Sequence, residues 1–318
     1  MEQQIVSSSA TKDVASGTKF IEANTISMSL KEVREEHIIP IFSKNNEPLI
    51  SQTQFIETVQ EALQIPFDGE NIVHPEIRVS HAIKGRVPDA RHKVAKDLLP
   101  FEKTIYYERA IFKIDIPSIT TEIEGQELCL SVGGVKAYNL DNIGRDSRSP
   151  QHFTLFIGFK NTICENMCVW SDGSVLHTTV TTLSDLMWKI EKLFIEFQYD
   201  QAVNRMKSWE NIGLTEEQFC QILGRARYYN CLPKNRKENI FPLDITDSQM
   251  MAIAKGYDNM IQPGVDGYLS LWQFYNLCTS AVKSSYVDSY LDRCVNSHAL
   301  TAHIEDHLNG KEESWLLS

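Results

Sequence analysis

The chain has 318 residues, of which 42% are hydrophobic and 23% are charged, and this composition excludes a wholly disordered protein. No apolar run reaches the roughly 18–20 residues of a membrane-spanning helix, and the first residues lack the regions of a secretory signal. The formal net charge of −11 disfavours long-range attraction to nucleic acid phosphates. The seven cysteines are scattered without a C-x-x-C motif, which is typical of a cytoplasmic protein. Residues 1–18, rich in Ser and Thr, predict a disordered lead-in.

An antiparallel sheet domain with one or two helices is predicted over residues 19–175. Hydrophobic and polar residues alternate there, and turn-rich segments separate the alternating runs, as in strands that have one buried face. In HFTLFIGFK (152–160), every second residue from Phe153 to Phe159 falls on one face. These residues are therefore expected in the core of the sheet domain.

Within this domain, residues 104–117 and 126–139 both have the pattern of a strand, and IEGQ lies between them. The arrangement predicts a β-hairpin. Gly133 and Gly134 lie inside its second strand, where paired glycines indicate either a β-bulge or a close approach of another part of the backbone.

From residue 176 to 318 the hydrophobic residues follow the period of a helix. Leu183, Leu186, Ile190 and Leu193 recur at spacings of three and four, so they form one face of a predicted helix. Because strands come first in the chain and helices later, the sequence predicts an α+β fold in which a helical region packs on the sheet domain.

One short pattern occurs four times: Leu or Ile, then Ser or Thr, two variable residues, Gln, and Phe or Met. The hydroxyl of the Ser or Thr is expected to cap the start of a helix, while the Gln three residues later returns a hydrogen bond. The copies are irregularly spaced, which excludes a solenoid repeat. The predicted pairs are Ser51–Gln54, Thr215–Gln218, Thr246–Gln249 and Ser270–Gln273.

A basic segment over residues 78–109 is the strongest candidate binding site, since it holds eight Lys and Arg residues but only four Asp and Glu. Single-strand binders combine cations that follow the phosphates with aromatic rings that stack on bases. A second basic stretch, GRARYYN (224–230), ends a predicted helix, where its cations would also suit the helix dipole. The candidate nucleic-acid-binding residues are Arg78, Lys84, Arg86, Arg91, Lys93, Tyr106, Tyr107, Arg225 and Arg227.

The basic segment also has a purely structural interpretation. If residues 78–86 form one strand, then Arg78, Lys84 and Arg86 share a face of it. That face would be solvated and would carry ion pairs to acids on the next strand, for which Glu102 and Glu108 are available.

Cys164 and Cys168 raise the question of a metal or redox site. On a strand, four residues span about 13 Å, which is too far for a disulfide or for one zinc ion. The sequence therefore predicts that both thiols pack in the core. Asn161 and Asn166 lie in the same apolar stretch and are expected either to brace a turn or to line a pocket.

His303 and His307 are four residues apart, so they lie on one face of a predicted helix, as a pair of metal ligands would. The glutamate position of the H-E-x-x-H motif is missing and no third ligand follows nearby. We therefore predict no metal site. The chain also has no phosphate-binding loop, dinucleotide-binding motif or nucleophile elbow, so the sequence predicts no cofactor and favours a protein that is not an enzyme.

Several long stretches resemble an uncharacterised family of bacterial proteins, including RVSHAIKGRVPDA, KTIYYERAIFKIDIP, IGFKNTICENMCVWSDG and LWQFYNLCTSAVKSSYVDSYLDR. That family is a catalogued domain of unknown function, found mostly in Bacteroidetes genomes and their mobile elements. FIGFKNTICENMCV and LWQFYNLCT also look similar to a broader phage- and plasmid-like family. These resemblances imply a mobile-element setting, and neither implies a reaction or a site.

Two functions are therefore expected, from different classes. The first is a non-enzymatic protein that binds single-stranded nucleic acid in mobile-element DNA metabolism. The second is an interaction or assembly protein whose helical half binds another protein. The acidic terminal segment, residues 239–318, and the aromatic residues of LWQFYN would supply that surface. One helix face does not hold Trp272, Phe274 and Tyr275 together. A hydrolase or nuclease site assembled from scattered acids and histidines is a third class.

Overall fold

The computed structural model describes residues 18–37, 49–141, 150–260 and 268–318. The predicted lead-in over residues 1–18 lies outside these residues, apart from Thr18. The described strands are β1 Ile26–Met28, β2 Glu76–Val79, β3 Ala82–Arg86, β4 Lys103–Tyr107, β5 Arg109–Ile123, β6 Gln126–Ala137, β7 Gln151–Asn161, β8 Met167–Cys168, β9 Val175–Val180, β10 Gly213–Leu214 and β11 Leu269–Ser270.

The described helices lie mainly in the second half of the chain, so the protein has the predicted α+β fold. They are α1 Leu30–Glu36, α2 Gln52–Ala62, α3 Leu183–Glu196, α4 Asp200–Ser208, α5 Glu216–Cys231, α6 Lys234–Lys237, α7 Asp247–Met260, α8 Leu271–Val282 and α9 Val287–Leu308.

The main sheet is antiparallel, with strand order β1-β2-β5-β6-β7-β8, and β9 also pairs with β7. The predicted hairpin is confirmed as β5 and β6, but its first strand begins at Arg109, because the preceding residues form β4, which pairs with β3 in a separate sheet. Its turn consists of Glu124 and Gly125, both with positive φ (49° and 69°). Two successive residues with positive φ match the right-handed twist of the paired strands, which is why such turns favour glycine.

Gly133 and Gly134 mark a close approach, and the alternative interpretation as a bulge is wrong. A Cβ on Gly134 would lie 2.5 Å from Cζ of Phe55 in α2, so the missing side chain lets the helix rest on the sheet. The register instead shifts on β5, between Ile116 and Thr120. Pro117 lies in this irregular part and cannot donate a ladder hydrogen bond.

Both faces of the main sheet are covered. Phe153, Leu155, Ile157 and Phe159 are buried on one face, as predicted, in a core that α2, α3 and the later helices share. The opposite face packs against the first half of α9 and against Phe20 and Ile21 near the start of the described chain.

All four predicted capping boxes are confirmed. In each one the Ser or Thr oxygen accepts from the backbone N–H of the Gln, and the Gln side chain accepts from the N–H of the cap. Ser29 and Glu32 form a further box at α1. The repeated pattern is therefore the start of helices.

The expectation that LWQFYN exposes aromatic rings is wrong, because Trp272, Phe274 and Tyr275 are all at most 1% exposed. Helix α8 is surrounded, so it buries more than one face. Tyr275 packs edge-on against Trp209, from the turn after α4, and Phe274 against Phe219 of α5.

Candidate functional site

The predicted basic segment does not form one continuous strand. It breaks at Ser80–His81, so β2 belongs to the main sheet while β3 pairs with β4 in a separate two-stranded sheet. Ser80 makes the break: its N–H donates to the carbonyl of Arg109, and its hydroxyl accepts from the N–H of Arg109. The expectation that Arg78 shares a strand face with Lys84 and Arg86 is therefore wrong.

We call β3, β4 and the segment between them, residues 82–107, the basic ribbon. It holds six Lys and Arg residues and three Asp and Glu. Lys84 and Arg86 on β3 and Lys103 on β4 line a concavity of about 630 Å³, and Arg86 and Lys103 are direct cross-strand neighbours. Like charges directly opposite each other are unfavourable in a sheet, so this placement favours an anionic partner.

Some cations of the ribbon hold its connecting segment together. Arg86 donates to the carbonyl of Lys93, and Lys93 pairs with Glu102. The hydrogen bond from Lys93, together with the N–H of Leu99, lowers the pKa of Glu102. Arg91 Nε lies 2.9 Å from the Nε2 atom of the adjacent His92.

Other cations of the ribbon point to solvent. Lys84, Lys96 and Lys103 are exposed and form no ion pair within the described residues. Phe101 lies between Lys96 and Lys103 in sequence, and its side chain is 76% exposed. Sequence reasoning missed Phe101, although PFEK places an aromatic ring two residues before Lys103.

Arg78 and Tyr107 face inward. Arg78 is 5% exposed, and its guanidinium donates to the hydroxyl and the carbonyl of Thr25 at 2.8 and 2.9 Å. Tyr107 is 4% exposed, with its ring stacked on His37 at 5.9 Å. Tyr106 is half-buried on the same strand. Among the Phe and Tyr residues of the ribbon, Phe101 is therefore the exposed one.

The second basic stretch lies on α5, where its polar contacts are to the helical half. Arg225 donates to the carbonyls of Trp315 and Ser318, with its guanidinium 5.3 Å from the centre of the Trp315 ring. Arg227 pairs with Asp247 at 3.1 Å. Arg225 therefore holds residues 315–318 against α5.

A buried ionic network on the main sheet was missed. Asp115 on β5 accepts from Lys113 at 2.9 Å, from Lys160 on β7 at 2.7 Å, and from the hydroxyl of Ser131 on β6. Lys160 also pairs with Glu165 at 2.8 Å. Burial opposes the charge on Asp115, but Lys113 and the hydrogen bonds outweigh it and lower its pKa. The alternation IFKIDIP is the sequence signal: its charged residues share one face of an otherwise apolar strand.

A second buried group lies on the opposite face of the sheet. Lys136 Nζ donates to Asp141 at 2.7 Å and lies 4.1 Å from the centre of the Phe153 ring. Burial lowers the pKa of Lys136 to about 8, against the opposing effect of Asp141. Nearby, the hydroxyl of Tyr138 is 3.4 Å from Nε2 of His37, whose pKa is lowered to about 4 by burial.

Cys164 and Cys168 do not lie on one strand, so that part of the prediction is wrong. The chain turns after β7, where Glu165 has a φ of 58°. Cys164 is in the turn and Cys168 is buried in β8, and both thiols are free. Asn161 braces this turn, as one of the two predictions had it, because its side-chain oxygen accepts from the N–H groups of Ile163 and Cys164.

His303 and His307 have separate contacts. His303 stacks on Phe241 with 4.8 Å between ring centres and lies 3.4 Å from a Glu312 oxygen. His307 accepts from the N–H of Ser314 through Nδ1 at 3.1 Å. Within the described part of the chain, no group of three or more His, Cys, Asp or Glu side chains is arranged to hold a metal ion.

Comparison with known proteins gives a family and no activity. Residues 1–317 match a family described as "Domain of unknown function, B. Theta Gene description (DUF3871)". Neither the curated proteins nor the solved structures contain a match. Among the described residues, no helix has the length and apolar character needed to cross a bilayer. Because the match extends over almost the whole chain, the protein is a member of this family of unknown function, DUF3871.

Proposed function

We propose that the protein binds single-stranded nucleic acid without catalysing a reaction, and that the basic ribbon is the interface. The observation that carries the proposal is that Phe101 is exposed in the same ribbon as Lys84, Lys96 and Lys103. These three exposed lysines have no ion pair among the described residues. A ring that stacks on a base and lysines that follow the phosphates are the two parts of a sequence-tolerant single-strand site.

The acidity of the whole chain does not oppose binding at the ribbon. The net charge is −11, but screening limits the reach of distant charges to roughly 8 Å at physiological salt. A phosphate at the concavity of the ribbon would be closest to Lys84, Arg86 and Lys103. Glu36 also lines this concavity, so the lysines must outweigh one carboxylate.

Binding of a labelled single-stranded oligonucleotide across a salt series tests the proposal. We expect the logarithm of the binding constant to fall linearly with the logarithm of salt, because bound cations are released from the phosphates. Lys84→Gln and Lys103→Gln should each reduce the magnitude of the slope by about 0.7. Phe101→Ala should weaken binding by about 1–3 kcal/mol at every salt concentration.

Lys255→Gln is the matched control, because Lys255 is an exposed lysine on α7, away from the ribbon. It makes the same change of charge and should leave the slope unchanged. Absence of salt-sensitive binding at low salt would overturn the proposal, and an equal loss in Lys255→Gln would show that only net charge matters.

The proposal includes a biological setting, the DNA metabolism of a mobile element. The resemblance to mobile-element proteins suggests that the bound strand arises in the DNA metabolism of such an element. A preference for single-stranded DNA over RNA of the same sequence, measured with the same assay, supports this setting, whereas a preference for RNA contradicts it.

A second candidate function, assembly through the helical half, is supported by one surface. Trp188 and Ile195 on α3 are 53% and 82% exposed, and Ile65 after α2 is 82% exposed. We propose a second copy of this chain as the partner, because α3 has Lys189 and Lys192 beside glutamates, so two antiparallel copies would pair opposite charges. Concentration-dependent dimerisation in sedimentation that Trp188→Ser abolishes supports this function, and a monomer at all concentrations refutes it.

A further inference from the structure

A cleft of about 390 Å³ opens where the helical region meets the residues after β8, remote in sequence from the basic ribbon. Its walls come from α4, α9, the residues after β8 and Phe241. The volume lies in the usual range of small-molecule sites, about 300–1,000 Å³. Two aromatic rings, Trp170 and Phe241, line it together with polar side chains.

The arginine in this cleft is already neutralised. Arg205 Nε donates to Glu305 at 2.5 Å, and one of its terminal nitrogens donates to Asp306 at 2.7 Å and to the carbonyl of Ala302 at 2.9 Å. Glu305 is 6% exposed and also accepts from the indole of Trp209 at 3.1 Å. Because two carboxylates balance its charge, Arg205 does not offer the cleft an uncompensated cation for an anionic ligand.

Two other carboxylates of the cleft have no Lys or Arg partner within the described residues. Asp172 is exposed. Glu312 is 58% exposed, and its ion-pair partner is the imidazole of His303 at 3.4 Å. The lining therefore carries more negative than positive charge. The two carboxylates, Asp172 and Glu312, are exposed, so a ligand can reach them from solvent.

A buried nitrogen in the lining also lacks a partner. His298 is 9% exposed, and its Nε2 atom makes no hydrogen bond with any residue that the structure describes. Its ring lies 6.2 Å from Trp170 and 5.1 Å from Trp209. Burial and the nearby charge of Arg205 lower the pKa of His298 to about 3, so the ring is neutral at pH 7. A buried nitrogen without a hydrogen bond is unfavourable, and a ligand with a suitable polar group would satisfy it.

We propose that this cleft binds a small organic cation, an alkyl guanidinium or ammonium, between its aromatic rings and the carboxylates of Asp172 and Glu312. Aromatic faces attract such cations through the ring quadrupole, and N–H donors paired with carboxylates form the stronger, charge-assisted hydrogen bonds. This site is separate from the nucleic acid interface, and it does not depend on the proposed function.

Calorimetric titration with agmatine as the probe tests the proposal. Agmatine carries a guanidinium and an ammonium, and 4-guanidinobutyrate is the counterpart in which a carboxylate replaces the terminal aminomethyl group. We expect agmatine to bind with a dissociation constant on the order of 1 mM or tighter. The carboxylate counterpart should bind at least about tenfold more weakly, because it brings a negative charge to an electronegative mouth. Absence of agmatine binding, or equal binding of the two compounds, would overturn the proposal.

Variants then locate the bound cation. Glu312→Gln and Asp172→Asn should each weaken agmatine binding about tenfold or less, and the double variant more than either. Both side chains are exposed at the mouth, so the fold should tolerate them, and an unchanged melting temperature checks this. Glu313→Gln is the matched control, since Glu313 is an exposed neighbour outside the cleft lining. If this control weakens binding as much as Glu312→Gln does, the cleft is not the site and the proposal fails.

Discussion

At the scale of single residues, the packing of α2 on the sheet depends on a glycine, which has no side chain. Gly134 on β6 leaves the space that Phe55 of α2 occupies, and a Cβ there would also lie 2.6 Å from the carbonyl oxygen of Thr154. Protein interiors are packed too densely to absorb such an overlap without movement. The close approach of helix and sheet therefore requires glycine at this position.

Replacing this glycine should destabilise the protein. Gly134→Ala is expected to lower the free energy of unfolding by about 1–3 kcal/mol, because the added methyl group forces Phe55 or the strand to shift. Gly224→Ala on α5 is the matched control, since a Cβ there meets no atom within 4 Å. It should raise stability by about 0.5–1 kcal/mol, since alanine favours a helix. Urea unfolding of both variants measures this, and equal effects in the two would contradict it.

Two histidines, half-buried His37 and buried His298, should make stability depend on pH. Burial lowers the pKa of His37 to about 4 and that of His298 to about 3, below the ordinary value of about 6.5. Above pH 6.5 both histidines are neutral in the folded and unfolded states, so they do not change the free energy of unfolding. As the pH falls below 6.5, the unfolded chain binds protons that the folded protein does not, and stability decreases until the folded values are reached.

We expect the free energy of unfolding to fall by up to about 2 kcal/mol per histidine between pH 6.5 and pH 5. Urea unfolding at several pH values measures the slope. His298→Asn should make the slope shallower by nearly one proton, whereas His74→Asn, at an exposed histidine, should not change it. A stability that is constant from pH 7 to pH 5 would refute the prediction.

At the scale of helices and strands, the features that depend on residues close together in the sequence were predicted correctly. The capping boxes and the β5–β6 hairpin follow from neighbouring residues, and both are confirmed. The break between β2 and β3 was missed because it depends on Ser80 bonding to Arg109, which is distant in sequence. The burial of α8 was missed for the same reason, since no residue of a helix specifies how many neighbours surround it.

A cap variant tests whether the repeated pattern stabilises the helices as well as starting them. Thr215→Ala removes the oxygen that accepts from the N–H of Gln218 at 3.1 Å, and should lower the free energy of unfolding by about 1 kcal/mol. Thr215→Ser keeps the hydroxyl and should restore most of this loss. If the serine variant is as unstable as the alanine variant, the effect comes from packing of the threonine methyl group and the interpretation as a cap fails.

At the scale of the whole molecule, the sheet and the helices share their buried surface. The same core contains Phe112 and Phe159 of the sheet and Trp272 of α8. Polar contacts cross between the two parts as well: Asn166 donates to the carbonyl of Asn276 at 3.1 Å, and Ser270 donates to Glu124 at 3.2 Å. The sequence pattern predicted that the helices follow the sheet along the chain, but the identity of the side chains that join them depends on contacts between distant residues.

This shared core leads to a prediction about the division at residue 175. A fragment of residues 19–175 would retain the strands from β1 to β8. It would lose β9, which pairs with β7, and also α8 and α9, which cover apolar residues on both faces of the sheet. Each Å² of apolar surface that becomes exposed removes roughly 25 cal/mol of stabilisation. The loss over both faces of the sheet is expected to exceed the roughly 5–15 kcal/mol of stability of a typical domain. We therefore expect the fragment not to fold alone, and residues 19–318 to unfold in one transition. Nuclear magnetic resonance spectra of the fragment, with residues 19–318 as the control, distinguish the outcomes, because well-dispersed amide signals from the fragment would show that the sheet is an independent domain.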